Sequence, residues 1–598
     1  MICSRLKKVL PNIIEPVQSA FVEKRVIFHN IFICQDMLRH YKRKSEPARC
    51  TMKVDLRKAY DSIDWEFIKE MLLGLKFPKK FVNWVMLCMT TPSYSLSING
   101  QLCGFFQGKR GVRQGDRISP LLFVIAMEYI SRLMKKMQKK NQFEFHYRCS
   151  DLKLSHLIFA DDLMRFCKGV PQSAIMIKRV LKTFSVTSGL CASAEKTAIY
   201  FGNVKEEFQV RILQVTGFQK GQFPFRYLGV PITSKRISKA DCEVLVDKIL
   251  KRLICMSSRH LSYAGRVTLI NAVLINLHTY WAQLFLLPKS VLEAITRICR
   301  AYLWEGKVYT SKPPPISWQE VCYAKNRGGL GIRECKSWNV AAIGKHVWQI
   351  TAKADLLWIK WVHSVYIKES SWWEYQAPTK ASWCWKNICK VKDQMKQAYT
   401  GDKWLNVDAQ YTIKSGYQWL HPEGEKNRWH HWVWNSFNIP KHSMIAWMAM
   451  KGKLKTRDKL MSIGISRVDT CALCELDTET SQHLFFRCPF SKRVSHGTLQ
   501  WLEKRSAVNE CLYTQWKKWG RYSNSRRKQK IGYAVLTATV YEVWRARNNA
   551  IWNLKVPCPK AVIRNIKQNV CRRIQFQVTS KWSREETEWL EKLIADMR

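Results

Sequence analysis

The sequence is short of acidic residues. Asp and Glu contribute 46 of the 598 residues, whereas Lys and Arg contribute 99, so the net charge is +53 at pH 7. Because the basic excess runs along the whole chain, it predicts a polyanionic partner, and nucleic acid is the first candidate. A membrane surface is the weaker alternative, since it favours a localised amphipathic helix and none stands out in the sequence.

Long apolar runs are also missing. No stretch of about 18 apolar residues occurs, so no membrane span is predicted, and Met1 to Ile14 has no apolar core of the kind found in secretory signals. The 21 cysteines are scattered. Together these features predict a reducing, intracellular compartment with mostly free thiols. A hydrophobic content of 46% over this length allows several domains with sizeable cores.

Two adjacent carboxylates, Asp161 and Asp162, interrupt an apolar run from His156 to Phe166. The pattern predicts strand, turn and strand, with both carboxylates at the bend. Tight hairpin turns favour Asn-Gly or Asp-Gly instead, and neighbouring like charges repel unless they are paired or bound to metal. A divalent cation would resolve this conflict. The alternative interpretation is an exposed acidic turn.

Two further stretches precede this one in the chain. A predicted strand from Thr51 carries Asp55, followed by Lys-Ala-Tyr-Asp at 58–61 and a predicted helix. The segment Arg-Gly-Val-Arg-Gln-Gly-Asp at 110–116 is followed by Ser119-Pro120 and an apolar helix. In this order, the three stretches resemble motifs A, B and C of a reverse transcriptase palm. Their form is similar to that of LINE-type non-LTR retrotransposons of plants.

The resemblance implies an α+β fold, in which a right-hand palm with an antiparallel sheet is joined by partial fingers and a helical thumb. It also implies an RNA-directed DNA polymerase that uses two Mg²⁺ ions. The expected partners are an RNA template, a DNA primer, the RNA–DNA hybrid and dNTPs, and the expected location is the nucleus. The implied site residues are Asp55, Asp161, Asp162 and Lys196 for catalysis, Leu56, Tyr60, Gln114 and Gly115 for the nucleotide, and Arg113 and Arg226 for primer or template.

Two of these roles have purely structural alternatives. In the family, an aromatic ring at the position of Tyr60 excludes a nucleotide 2′-OH, but a core aromatic at a strand end would look the same in sequence. Lys196 matches the lysine that could protonate the leaving pyrophosphate, and a solvated surface lysine is the alternative. Pro224 to Pro231 resembles the hairpin that grips the primer, with Arg226 placed to meet a phosphate.

A second constellation follows later in the chain. Cys471-x2-Cys474-x8-His483-x4-Cys488 supplies three thiolates and one imidazole, which can complete a closed, structural tetrahedral Zn²⁺ site. A chance spacing in a cysteine-rich chain is the alternative. The flanks, with Trp429 to Trp434 and His483 to Phe490, resemble the zinc-binding domain that follows the polymerase in the plant LINE-type family.

The predicted domains run from 1–235 (palm with partial fingers), 236–345 (thumb and following helices), 346–425 (Trp-rich connector), 426–505 (zinc-binding) and 506–598 (basic helical region). The Trp-rich connector is interpreted as structural, with base stacking as the alternative. Basic helical patterns such as Tyr541 to Asn548 predict either a solvated face or a nucleic-acid contact.

Family members usually carry a fuller fingers segment and an endonuclease before this point. We therefore expect an N-terminally truncated form, and no RNase H carboxylate set follows the zinc ligands in the sequence. A non-catalytic nucleic-acid-binding remnant that keeps the palm and the zinc knuckle is the alternative to a working polymerase.

Overall fold

The computed structural model describes residues 1–41, 43–140, 142–256, 261–309, 313–399, 410–421, 425–504, 511–521, 525–578 and 582–596. These residues form two compact units. The first comprises Met1–Glu243, Thr279–Pro288 and Asn339–Tyr417, and the second comprises Val244–His278, Lys289–Trp338 and Gln418–Arg598. Within the described ranges, no helix has both the length and the apolar character needed to cross a membrane.

Helices and strands follow one another in the first part of the chain. They are α1 (Ile2–Ile13), α2 (Ile27–Met37), β1 (Arg49–Val54), α3 (Ala59–Ser62), α4 (Trp65–Gly74), α5 (Lys79–Thr90), β2 (Ser93–Ile98), β3 (Gln101–Gln107), α6 (Ser119–Gln138), β4 (His156–Phe159), β5 (Asp162–Lys168), α7 (Pro171–Ser188), β6 (Ala198–Gly202), α8 (Glu206–Thr216), β7 (Gln219–Lys220), β8 (Phe225–Tyr227) and β9 (Val230–Ile232).

The remaining elements are helical. They are α9 (Glu243–Met256), α10 (Tyr263–Leu269), α11 (Ile275–Ala282), α12 (Lys289–Glu305), α13 (Trp318–Cys322), α14 (Cys335–Thr351), α15 (Leu357–Val362), α16 (Trp383–Tyr399), α17 (Ile413–Leu420), α18 (His430–Val433), α19 (Pro440–Met450), α20 (Arg457–Ser462), α21 (Pro489–Trp501), α22 (Leu512–Arg521), α23 (Arg526–Asn553), α24 (Pro559–Gln575) and α25 (Arg584–Ala595).

A five-stranded sheet lies at the centre of the first unit, with strand order β4-β5-β1-β6-β7. Strand β1 pairs antiparallel with β5 on one side and β6 on the other. Its last pair with β5 joins Val54 to Leu163, so the next residue along each strand end places Asp55 beside Asp162. The sheet confirms the predicted α+β palm.

Helix α6 is the core helix of the first unit. Its residues from Leu121 to Met127 are all buried, because this segment is apolar on every side and must be enclosed by other elements. Helices α4 and α7 pack against it. Helix α7 ends at Gly189, whose φ is +77° and whose added Cβ would lie 2.6 Å from the Ser62 carbonyl oxygen. Only glycine fits this close approach.

Tryptophans of the predicted connector belong to the core of the first unit. The rings of Trp358, Trp361, Trp372 and Trp385 are buried. The buried carboxylate of Asp36, on α2, accepts hydrogen bonds from Trp361 Nε1 at 3.2 Å and from the Tyr366 hydroxyl. These contacts favour the structural interpretation of the connector over base stacking. The predicted domain boundaries remain predictions.

In the second unit, the 28-residue helix α23 is central. Its stretch from Ile531 to Val540 is buried throughout, and helices α19, α21, α22 and α24 pack against it. A helix enclosed on several sides in this way is the core of a helical bundle rather than a surface element.

Candidate active site and metal centre

Asp55, Asp161 and Asp162 lie together at one end of the sheet in the first unit. Asp55 follows β1, Asp162 begins β5, and Asp161 occupies the turn between β4 and β5. Ala160, just before Asp161, has a φ of +54°, so the chain reverses within two residues. This confirms the predicted strand, turn and strand.

Their mutual influence is visible at Asp162. Burial raises the pKa of Asp162, the Lys53 ammonium group lowers it, and the carboxylates of Asp161 and Asp55 raise it again. A partly buried carboxylate with two further carboxylates beside it favours a bound cation. Among the described residues, the four predicted zinc ligands are the one group whose ligand atoms lie close enough to share a metal ion, all within 4.8 Å of one another. The oxygens of the three carboxylates are less closely grouped.

The β4–β5 turn is held by Gln18 and Asn30, two residues that were not predicted to belong to the site. The buried Gln18 accepts a hydrogen bond through Oε1 from the Ala160 amide at 3.2 Å. Asn30 donates through Nδ2 to the Ile158 carbonyl at 2.9 Å. These two amide side chains therefore fix the position of Asp161, although neither offers a carboxylate that would mark it in the sequence.

The segment that carries Lys196 holds the backbone at Asp55. The Asp55 amide donates to Thr197 Oγ1 at 3.3 Å, and its carbonyl accepts from the Ser193 amide at 2.8 Å. Leu56, which is buried, forms an antiparallel bridge with Ala192. Lys196 itself is exposed in the adjoining turn. Its segment therefore lies beside Asp55, but among the described contacts none joins the Lys196 ammonium group to the carboxylates.

Tyr60 lies in α3, the short helix after β1, close to the Asp161 carboxylate. Its ring stacks on Phe123 of α6 with a centroid distance of 4.8 Å. Burial and the nearby Asp161 charge raise the pKa of the Tyr60 hydroxyl. The ring is half-buried and packs against the hydrophobic core of the first unit, while its hydroxyl lies near Asp161, so both interpretations of Tyr60 stay open.

The loop predicted to bind the nucleotide is hydrogen-bonded to the same helix, α3, and to Trp65. The Val112 amide donates to the Tyr60 carbonyl at 2.7 Å, and Trp65 Nε1 donates to the Gly111 carbonyl at 2.6 Å. Gly111 has a φ of +87°, and an added Cβ would lie 2.8 Å from the Asp61 carbonyl oxygen. Arg113, Gln114 and Gly115 follow on this anchored loop and are exposed. The guanidinium of Arg113 lies 5.8 Å from the centroid of the Tyr94 ring.

The β8–β9 hairpin confirms the predicted hairpin between Pro224 and Pro231. Lys53 Nζ donates to the Arg226 carbonyl at 3.0 Å, and the same ammonium group acts on Asp162. The Arg226 side chain is exposed, whereas Tyr227 is buried and packs. The hairpin is therefore joined to the sheet strand that carries Asp55.

In the second unit, the four predicted zinc ligands form one cluster. Cys474 Sγ lies 3.2 Å from His483 Nε2, and Cys471 Sγ lies 4.0 Å from Cys488 Sγ. The contact with Cys471 lowers the pKa of the Cys488 thiol, whereas the contact with Cys488 and burial raise the pKa of Cys471. Three thiols and one imidazole are the donor set of a structural Zn²⁺ site, and their ligand atoms lie within 4.8 Å of one another, so the residues fit this ion. His483 Nδ1 lies 3.2 Å from Asp477 Oδ2, a contact that can orient the ring.

A buried ion pair supports this cluster. Glu479 is fully buried and lies 2.7 Å from the Arg547 guanidinium of α23. Glu479 also accepts hydrogen bonds from the amides of Arg457 at 2.9 Å and Ala472 at 3.4 Å. The zinc-ligand loop is thereby attached to the core helix of its unit. In the sequence, Arg547 lies in a basic helical run, and no local pattern there indicates its pairing with Glu479.

Family comparisons agree with both sites. A family described as reverse transcriptase (RNA-dependent DNA polymerase) matches residues 1–232, and a family described as zinc-binding in reverse transcriptase matches residues 411–494. The carboxylates lie inside the first match and the four zinc ligands inside the second. The chain therefore contains a reverse transcriptase domain and a zinc-binding domain of the kind found with it.

Curated relatives match parts of the chain. A protein of Arabidopsis thaliana named as a ribonuclease H protein is 32% identical over 30% of this chain and 29% of its own length. The transposon TX1 149 kDa protein of Xenopus laevis is 25% identical over 51% of this chain and 23% of its own. The Pol polyprotein of the retrotransposable element R2DM of Drosophila melanogaster is 24% identical over 53% and 30%.

The chain thus spans between about a quarter and a third of the length of these relatives. Among solved structures, a telomerase of Candida albicans aligns with a TM-score of 0.33 and 12% identity, over 68% of this chain and 56% of that one.

Proposed function

We propose that the chain is an RNA-directed DNA polymerase of a non-LTR retrotransposon, of the plant LINE type. The observation that supports the proposal is the meeting of Asp55, Asp161 and Asp162 at the end of β1 and at the β4–β5 turn, where burial and then the two neighbouring carboxylates raise the pKa of Asp162. The reverse transcriptase domain match across this site supports the same activity.

The three carboxylates have the chemistry to hold two Mg²⁺ ions, because Mg²⁺ prefers hard oxygen ligands. Bound there, the ions would supply activation of the primer 3′-OH and stabilisation of the leaving pyrophosphate. Asp55 and Asp161 would be the shared ligands of the two ions, and Asp162 would complete the carboxylate set. The Leu56 backbone carbonyl is proposed as a further ligand.

The remaining residues bind and orient the substrates in this proposal. The Tyr60 ring excludes a nucleotide 2′-OH and so selects dNTPs, while Gln114 and Gly115 contact the nascent base pair. Arg113 contacts the template and Arg226 a primer phosphate. Lys196 supplies a proton to the pyrophosphate as it leaves. Base pairing selects the nucleotide, so the protein needs contacts with the RNA–DNA hybrid that do not read sequence.

The zinc-binding domain is proposed to be structural, holding one Zn²⁺ ion through Cys471, Cys474, His483 and Cys488. All four protein ligands are present, so no position is left open for a reacting water. The expected site of action is the nucleus, where a DNA primer is available.

One observation favours the alternative, a nucleic-acid-binding remnant without turnover. Arg165 lies in β5, three residues after Asp162, and is fully buried. Its Nε and Nη2 have no hydrogen-bond partner among the described residues. An uncompensated buried cation destabilises the strand that carries Asp162, as expected of a sequence no longer selected for activity.

Primer extension distinguishes the two functions. The purified chain is given a primed RNA template, dNTPs and Mg²⁺, and incorporation is compared with that of the Asp161→Asn, Asp162→Asn double variant. A Glu206→Gln, Glu207→Gln variant, which removes two exposed carboxylates of α8, controls for the change of charge.

The polymerase proposal predicts template-dependent incorporation by the wild type and the control, with loss in the double variant. If the folded wild type incorporates no dNTPs but keeps salt-sensitive RNA binding, the chain is a nucleic-acid-binding remnant without turnover.

A further inference from the structure

The second unit contains a groove that neither the polymerase chemistry nor the zinc site uses. Its volume is about 850 Å³, and it is bounded by residues of α10, α12, α19 and α23. We call it the C-terminal groove and define it by the ring residues Tyr541, Trp544 and Trp552 of α23, with Tyr263 and Trp304 from the other helices. The wall of this cavity therefore carries five aromatic side chains.

The aromatic residues on α23 form one stripe. Tyr541, Trp544, Asn548 and Trp552 are spaced by three, four and four residues, so they share one face of the helix. The stripe is about 16 Å long at 1.5 Å per residue, a length that accommodates about four or five bases at a rise of 3.4 Å. Trp552 is 79% exposed, which leaves one face of its indole ring open to a ligand.

Cations surround the stripe. Lys307, Lys441, Lys455 and Arg545 line the groove, and among its described lining residues Glu305 is the one carboxylate. Lys441 Nζ lies 5.2 Å from the centroid of the Tyr541 ring. Nearby Glu542 is buried and pairs with Arg545 at 3.4 Å, so its charge is already compensated. The groove therefore offers flat rings with a net positive charge around them.

We propose that the C-terminal groove binds a single-stranded segment of nucleic acid, with unpaired bases stacked on the α23 stripe and phosphates placed at the lysines. Exposed rings in a basic groove bind single strands because each base presents a flat face regardless of sequence. The Asn548 and Asn549 amides in the wall can hydrogen-bond base edges or sugars. A purely apolar peptide would offer no counter-charge to the lysines of the groove, and a paired duplex would not expose its bases to the stripe.

The first test uses Trp552→Ala in the full chain, because this exposed ring contributes little to folding. Binding of a short single-stranded RNA that cannot prime synthesis is measured without dNTPs, so the result does not depend on polymerase activity. Loss of one stacked base predicts binding weaker by roughly 5- to 150-fold. Phe576→Ala is the matched control, since Phe576 is 87% exposed in the same unit and does not line the groove; it should bind as the wild type does.

The charge component is tested by Lys441→Gln with Lys455→Gln. Two lost phosphate contacts predict a decrease of about 1.4 in the slope of log affinity against log salt, whereas the exposed Lys492→Gln should leave this slope almost unchanged.

Photocrosslinking with 5-iodouridine RNA then locates the strand. The proposal predicts crosslinks in the peptide that contains Trp544 and Trp552. The proposal is overturned if both groove variants bind with wild-type affinity, or if the crosslinks are confined to the first unit. Equal competition by duplex RNA would overturn it as well.

Discussion

Arg165 is a buried cation, and burying its charge destabilises the strand in which it lies. Strand β5 places it opposite Met52 of β1 and His156 of β4, and its Nη1 contacts the Met134 sulfur. No carboxylate pairs with it among the described residues. We predict that Arg165→Leu stabilises the first unit by about 1–4 kcal/mol, because an apolar side chain removes the cost of burying a charge. Thermal unfolding and hydrogen exchange of the β5 amides measure the change; Arg165→Lys, which keeps the charge, should give no gain.

The same residue predicts a pH dependence. Burial lowers the pKa of Arg165 to about 9 in the folded chain, whereas the unfolded arginine keeps its usual value above 12. Below about pH 9 the buried side chain is charged and the penalty is complete. Between that pH and the unfolded pKa, the unfolded chain binds more protons, so stability rises with pH relative to a variant without the group.

The stabilisation by Arg165→Leu should therefore shrink when measured at pH 10.5 instead of pH 7. A difference that is the same at both pH values would mean that Arg165 keeps its ordinary pKa.

At the scale of elements, the loop of zinc ligands depends on its attachment to α23. Glu479→Gln removes the counter-charge of the buried Arg547 guanidinium, so we predict a loss of about 3–5 kcal/mol of stability in the second unit. Faster release of zinc to a chelator should accompany a lower melting temperature. Glu475→Gln, an exposed change in the same loop, should alter neither; equal behaviour of the two variants would remove the proposed role of the ion pair.

The metal content of this loop is itself a prediction. The purified chain should carry one zinc ion, measured by elemental mass spectrometry, and Cys488→Ala should lose it because a closed structural site needs all four ligands. Zinc-free wild-type protein that is fully folded would contradict the assignment.

The elements best predicted from the sequence are those specified by local pattern. The β4–β5 turn follows from an apolar run with two carboxylates at its bend, and the β8–β9 hairpin was implied by the family resemblance of Pro224 to Pro231. The contacts that hold them were not predicted, because they join distant positions. Gln18 meets Ala160 across 142 residues, and Asp36 meets Trp361 across 325. Nothing in the local sequence of Gln18 or Asp36 marks its partner.

Across the whole molecule, the charge of +53 and the two units point to one class of partner. The carboxylates of the first unit are a local exception in a basic chain. A metal-bound phosphoryl-transfer site needs this exception, because the carboxylates hold cations while basic residues hold the phosphate backbone. The central claim is that these carboxylates, and Asp55 above all, hold the catalytic ions.

The most direct measurement is primer extension by Asp55→Cys with Mg²⁺ and then with Mn²⁺, beside the wild type. A thiolate is a poor ligand for the hard Mg²⁺ ion and a better one for Mn²⁺. The proposed site predicts wild-type incorporation with either metal, near-complete loss by the variant with Mg²⁺, and partial recovery with Mn²⁺. Incorporation by Asp55→Cys at the wild-type rate with Mg²⁺ would contradict the account, because Asp55 would then hold no ion in the reaction.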